Sequence, residues 1–206
     1  LELGADLVVH SATKYFAGHH DVLAGVVVGR PALTSLVREL RGVLGGTLDP
    51  HAAFLVARGL KTLALRVERA SASALAVARL LATHRHVRAV FYPGLETHAG
   101  HVIAREQMRA FGGVVSFCVR APEAMSDEEA AARVVDGFAI ARIAPSLGGV
   151  DTLVEQPALM SFAELSSAER RAIGIDDDLI RLAIGVEDTD DLLHDVARAL
   201  SRLDQT

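Results

Sequence analysis

Lys14 stands in the stretch HSATKYFAGHHDV, residues 10–22, directly behind the apolar run Leu7-Val8-Val9. Of the 21 basic residues only two, Lys14 and Lys61, are lysines; the other 19 are arginines. A chain that meets its need for positive charge with guanidinium groups has kept an amine here. An amine can lose its proton and attack a carbonyl, which a guanidinium cannot do. Ser11 and Thr13 lie two residues apart, and in extended backbone that spacing puts both hydroxyls on one face, where together they can hold an anion. The plain alternative is a surface lysine in a polar turn. The GxxxxGK(S/T) pattern of a phosphate-cradling loop is absent.

The elements that must position this lysine can be read from the apolar pattern. Residues 5–10 form a short, nearly all-apolar run of the kind expected of a buried parallel strand, and 22–29 resumes as a second strand. The lysine turn then falls at the C-terminal end of a strand, where open α/β sheets place their ligands. Leu33, Leu36, Val37 and Leu40 recur at helical spacing before a Gly45-Gly46 stop, and Asp49-Pro50 is an N-cap followed by proline at the first helical position. Residues 66–84 read as a long Ala-rich helix. Beyond it come strands over 87–93 and 113–119 with a helix between them around 103–108, an acid-capped helix at DEEAAARVVDGF, strands near 141–144 and 179–185, and a last helix DTDDLLHDVARALSRL. This alternation makes the fold class α/β, with a boundary near residues 63–66. An amine beside a phosphate-sized anion site at a strand end is what pyridoxal-phosphate chemistry requires.

Composition limits the alternatives. The chain has 206 residues, 50% of them hydrophobic, with aromatics at 4% and a net charge of −5. Interspersed charge of that sign argues against nucleic acid, which needs a concentrated basic face. No apolar run approaches the roughly 18 residues of a membrane span, so no membrane partner is expected. The single cysteine, Cys118, suits a reducing compartment and reads as a small buried hydrophobe, and a cytoplasmic location is expected. His19-His20, His84-x-His86 and His98-x-x-His101 lack an acidic or cysteine partner at useful spacing, and no metal site is expected. Glu187, Asp188, Asp190 and Asp191 sit around the start of the last helix, where acids favour the helix dipole.

HSATKYFAGHHDV resembles the lysine segment of the Cys/Met-metabolism family of pyridoxal-phosphate enzymes. GGTLDPHAAFLVARGLKTLALRVERAS, VFYPGLETHAGHVIAREQMRAFGGVVSF, APSLGGVDTLVEQPALMS and DDLIRLAIGVEDTDDLLHDVARAL resemble successive segments of that family in order. The resemblance implies the C-terminal part of an aspartate-aminotransferase-like (fold type I) large domain over 1–64, followed by a smaller α/β domain over 65–206. It implies pyridoxal 5'-phosphate as cofactor, Lys14 as Schiff-base lysine and proton shuttle, and Ser11 and Thr13 on the phosphate. Ser146 and Arg181 would hold the α-carboxylate of a small amino-acid substrate. On a strand, Ile180, Leu182 and Ile184 share the core face and Arg181 lies opposite, so a guanidinium fork turned toward a carboxylate is compatible with the pattern. Pro145 lacks an N–H, which places an edge or a bend before Ser146.

Within the family, the segment from Leu153 to Asp188 is most similar to cystathionine γ-synthases, implying γ-replacement on an activated homoserine with cysteine. Cystathionine and methionine lyases are the alternative. The resemblance also implies a longer, homo-oligomeric protein. The ring-pairing aspartate, the stacking tyrosine and the glycine-containing phosphate loop of such enzymes precede the lysine segment and are not in these 206 residues. A non-catalytic fragment is therefore the reading of a different class, and unpaired strand edges are expected of it.

Overall fold

The computed structural model of the protein describes residues 1–204. The chain divides after Ala64 into two compact units. In the first, strand β1 (Leu7–Ser11) pairs with β2 (Gly25–Gly29) in register from Leu7 opposite Gly29 to Ser11 opposite Gly25. The pairing is antiparallel, whereas a parallel, buried strand was expected from the unbroken apolar run. The connection over 12–24 folds straight back, and a parallel pair would need a crossover on the sheet face. Every residue of β1 is exposed, and Val9 is 74% exposed. Helix α1 (Pro31–Leu44) ends at Gly45, whose φ of 78° is the left-handed closure that glycine accepts without steric cost. Helix α2 (Pro50–Leu60) starts as anticipated: Asp49 accepts hydrogen bonds from the N–H groups of His51 and Ala52 at 2.7 and 3.1 Å. A small core of Ala12, Ala17 and Val56 lies under the lysine turn.

The second unit is built on a five-stranded sheet of order β3-β4-β7-β6-β5, with β3 at Val87–Phe91, β4 at Val114–Val119, β5 at Arg142–Ile143, β6 at Leu153–Glu155 and β7 at Leu179–Ala183. All neighbours pair antiparallel except β5 and β6, which are parallel. Val115, Phe117 and Val119 of β4 and Ile180 and Leu182 of β7 enter one buried cluster. Helices α3 (Leu63–Thr83), α5 (Asp127–Val135) and α7 (Thr189–Leu200) meet it with Ala74, Val77, Ala130, Val134, Leu192 and Val196. Short side chains on the helices let them approach the sheet closely, which explains how so few aromatics suffice. The Asp195 carboxylate of α7 accepts from the backbone N–H groups of Ala139, Ile140 and Ala141 and so anchors the approach to β5.

Three elements have features that the apolar pattern left out. Strand β6 is only three residues long, too short to show a period, and α6 (Ser167–Ala172) is under two turns of helix; α4 (His101–Gln107), the helix expected around 103–108, begins two residues earlier. Glu187, grouped by sequence with the helix-start acids, instead accepts from Thr152 N–H and its hydroxyl, while Asp188 is the N-cap of α7.

Behind α6, Asp177 accepts from Ser167 Oγ, from Arg170 Nη2 at 2.7 Å and from Arg171 Nη2 at 2.7 Å. The Ser167 hydroxyl and then the Arg170 guanidinium hold its carboxyl down at about 2. A carboxyl depressed in the folded state contributes stability above the ordinary value of about 3.9, and this is lost as pH falls through about 2. The denaturant midpoint is accordingly expected to drop between those values, and Asp177→Asn should flatten that part of the pH profile in urea titrations.

Candidate active site

In the first unit, the chain leaves β1 at Ser11 and enters a five-residue helical turn, Ala12–Phe16, that is broken at Lys14 (φ −87°, ψ −123°). The break is held from both sides. Ala17 N–H donates to Ala12 O and Gly18 N–H to Lys14 O, each at 2.9 Å. Thr13 N–H donates to Ala24 O at 3.1 Å, and Thr13 Oγ1 accepts from Ala24 N–H at 2.9 Å. Lys14 is half-buried, above the fully buried Ala12. From α2, Gly59 lies so close that a Cβ there would stand 2.1 Å from Ala17 O and 2.7 Å from Phe16 O. Gly59 was not singled out from sequence; a lone glycine inside a helical pattern, where alanine would be preferred, is the signal that could have found it.

Ser11 and Thr13 do not present their hydroxyls from one strand face, contrary to expectation. Ser11 ends a strand and Thr13 is already in the helical turn, so their side chains are not related by strand alternation. Thr13 is tied to Ala24, with a further weak donation from its hydroxyl to Ala24 O at 3.3 Å. Ser11 is exposed and its side chain does not cap the turn.

In the second unit, β7 places Arg181 between Ser116 of β4 and Glu155 of β6, each directly across the ladder. Ile180 and Leu182 point into the core at 0% exposure, so Arg181 occupies the other face, as the alternation requires. Its Nη1 pairs with Glu155 Oε1 at 2.8 Å, and its Nη2 donates to Ser146 O at 3.0 Å. Thus Ser146 and Arg181, far apart in sequence, meet through the serine's backbone carbonyl. The Arg181 Nε–H is buried and has no hydrogen-bond partner among the described residues. The hydrogens left on Nη1 and Nη2 are suited to a carboxylate acceptor. Pro145 lies in a bend beyond edge strand β5.

Among the described residues, Cys118, Asp176 and Asp178 bring donor atoms within 4.8 Å of one another, a cluster the sequence did not reveal. Arg88 already occupies both carboxylates, donating from Nη2 to Asp176 at 2.8 Å and from Nε to Asp178 at 3.0 Å. Burial, followed by the Asp178 carboxylate, pushes the Cys118 thiol up to about 12. Thiolate is the reactive form, so Cys118 is expected to resist iodoacetamide at pH 8 in the native protein and to alkylate fully once unfolded, as followed by mass spectrometry. His86 Nε2 lies 2.6 Å from Asp204, and His19 and His101 donate to the Ala17 and Pro93 carbonyls.

The family model for Cys/Met metabolism PLP-dependent enzyme matches residues 1–201. The chain is similar to the chloroplastic cystathionine gamma-synthase 1 of Nicotiana tabacum, with 50% identity over 203 residues, 98% of this chain and 37% of that protein. It is 46% identical over 203 residues to cystathionine beta-lyase of Lactococcus lactis subsp. cremoris (strain MG1363), covering 98% of this chain and 52% of the relative. Among solved structures, cystathionine gamma synthase from Xanthomonas oryzae pv. oryzae in complex with cystathionine superposes with a TM-score of 0.91 at 43% identity, covering 100% of this chain and 52% of that one. The likeness extends the α/β fold to these proteins, of whose length the chain spans about half or less. No helix among the described residues is long and apolar enough to cross a membrane.

Proposed function

Because the chain belongs to the family of Cys/Met metabolism PLP-dependent enzymes, we propose that it carries part of a pyridoxal 5'-phosphate site in a protein that performs γ-replacement on an activated homoserine with cysteine. The observation that carries this reading is the Lys14 turn: an amine held on broken helical backbone at the end of β1. The donor set fits the group, with an amine for the cofactor aldehyde and neighbouring hydroxyls for its phosphate. When bound, pyridoxal phosphate supplies an electron sink for the carbanion formed at substrate Cα. Lys14 Nζ would be the attachment point and, once displaced by the substrate amine, would take the proton from Cα. Ser11 holds the phosphate through its exposed hydroxyl. Thr13 does so only by giving up its weak donation to Ala24 O, keeping the stronger bond it accepts from Ala24 N–H. Arg181, with Ser146, receives the α-carboxylate.

Residues 1–64 are then part of the cofactor-binding large domain, and residues 65–206 the small domain. Replacement rather than elimination is supported by identity: 50% to the tobacco synthase, against 46% to the lactococcal β-lyase and 40% to an L-methionine gamma-lyase of Fusobacterium nucleatum subsp. polymorphum. The whole protein is proposed to be a cytoplasmic homo-oligomer, supported by family membership and by the single cysteine.

The test is the absorbance spectrum of the purified chain with pyridoxal phosphate, before and after borohydride, followed by peptide mapping. A visible band bleached by borohydride, with the label in the Lys14 peptide, is expected. Absence of the band, or label spread evenly over both lysines, would reduce the chain to a family fragment without its own cofactor site.

A further inference from the structure

Arg181 is held as well as exposed. Its side chain is 23% exposed, while its partner Glu155 is 1% exposed. The β6–β7 register sets these two residues directly opposite, so the backbone ladder itself fixes their separation. Glu155 uses one carboxylate oxygen for Arg181 Nη1, and its other oxygen accepts from Ser161 Oγ at 2.9 Å. Both ends of the carboxylate are thereby pinned, and so is the plane of the guanidinium, whose Nη2 is anchored on Ser146 O. Each of these bonds uses one of the two hydrogens on its nitrogen, so one hydrogen on Nη1 and one on Nη2 remain, while the Nε–H is buried and unfilled.

We propose that Glu155, braced by Ser161, is a positioning residue that locks the guanidinium of Arg181 so that its remaining Nη hydrogens receive the substrate α-carboxylate in a single orientation. The proposal rests on the reading of Arg181 as the carboxylate-binding residue. With one hydrogen of Nη1 and one of Nη2 taken and the plane of the group fixed, an incoming carboxylate meets one edge of remaining Nη hydrogens rather than several. With Glu155 balancing the formal charge, that edge selects by hydrogen-bond geometry more than by net attraction. A long arginine side chain left unpinned would have to be immobilised at the moment of binding, which weakens affinity. A buried ion pair that merely braces the sheet would restrict the guanidinium equally but would leave its affinity for a carboxylate unchanged when broken.

The experiment uses the whole chain labelled with 15N-arginine and needs no cofactor. Acetate is the probe, L-alanine a second one, and the Arg181 signals are assigned by their loss in Arg181→Lys. In the wild type, separate Nη resonances are expected, showing restricted rotation, together with a saturable shift of those resonances on titration. Glu155→Gln keeps an acceptor toward Arg181 and a partner for Ser161, and should retain both signatures. Glu155→Ala should merge the Nη lines and weaken the apparent Kd by roughly three- to tenfold, with backbone amides elsewhere unchanged. Should Glu155→Ala fail to fold, Ser161→Ala releases only one oxygen of Glu155 and should broaden the Nη lines and weaken binding to a smaller degree. Unchanged lines and affinity in the variant that folds would overturn the positioning role while leaving Arg181 as the carboxylate site. No wild-type response to either probe would overturn both. Since pyridoxal phosphate is absent, these outcomes stand apart from the trapping of cofactor on Lys14.

Discussion

Replacing Lys14 with arginine is expected to abolish the borohydride-stable pyridoxyl label at residue 14 and to remove most of the total label, while leaving the fold intact. Arginine keeps the positive charge and the length of the side chain, but its guanidinium does not add to an aldehyde at neutral pH. The side chain is half-buried, and the backbone of its turn is fixed by Thr13, Ala17 and Gly18. Lys61 is the internal control. It is exposed at the C-terminal end of α2 and reacts only as any surface amine does. Mass-spectrometric quantitation of the two lysine peptides at limiting pyridoxal phosphate checks the prediction. A wild-type label dominated by Lys14 that collapses to the Lys61 background in Lys14→Arg is the expected result. Equal labelling of both lysines in the wild type would remove the chemical distinction between them.

Gly59→Ala should destabilise the chain by about 1–3 kcal/mol, the usual cost of overpacking a tight contact. Two effects oppose each other here. Alanine is the better helix former, and at an open position the exchange would stabilise α2 by up to about 1 kcal/mol. At this position the added methyl would stand 2.1 Å from Ala17 O, 2.7 Å from Phe16 O and 2.8 Å from Ala17 C. All three are backbone atoms, which cannot rotate away, so relief requires α2 and the turn to part. Overpacking therefore wins, and the displaced segment is the one that begins with Lys14. Urea unfolding should show the loss of stability, and the rate of cofactor trapping on Lys14 should fall with it. A more stable variant with unchanged trapping would mean that α2 does not press on the turn.

Much of the fold was legible because its signals are local. Asp49-Pro50 started a helix where capping chemistry said it should, and the Ile180-Leu182 alternation placed Arg181 on the face away from the core. The acid-rich start of α5 was legible for the same reason, with Ser126 and Glu129 completing a reciprocal cap. The candidate site was legible only in part. A lysine kept among arginines and two nearby hydroxyls can be seen in a string of letters, but whether those hydroxyls share a face depends on where a strand stops. It stops at Ser11, two residues short of Thr13, so strand alternation does not reach the second hydroxyl.

The sequence by itself determined the class of elements, the position of the reactive amine at a strand end, and the family to which those features belong. Tertiary structure alone decided what touches what. The antiparallel return of β2, the pressing of Gly59 onto the lysine turn, and the Glu155 carboxylate clasped between Arg181 and Ser161 all join residues far apart or of unremarkable local pattern. The physical reason is range. Capping, periodicity and side-chain chemistry act within a few residues and leave their mark in the letters. Register across a sheet and close approach between a helix and a turn are set by how distant segments fill one shared volume, and no single segment encodes that.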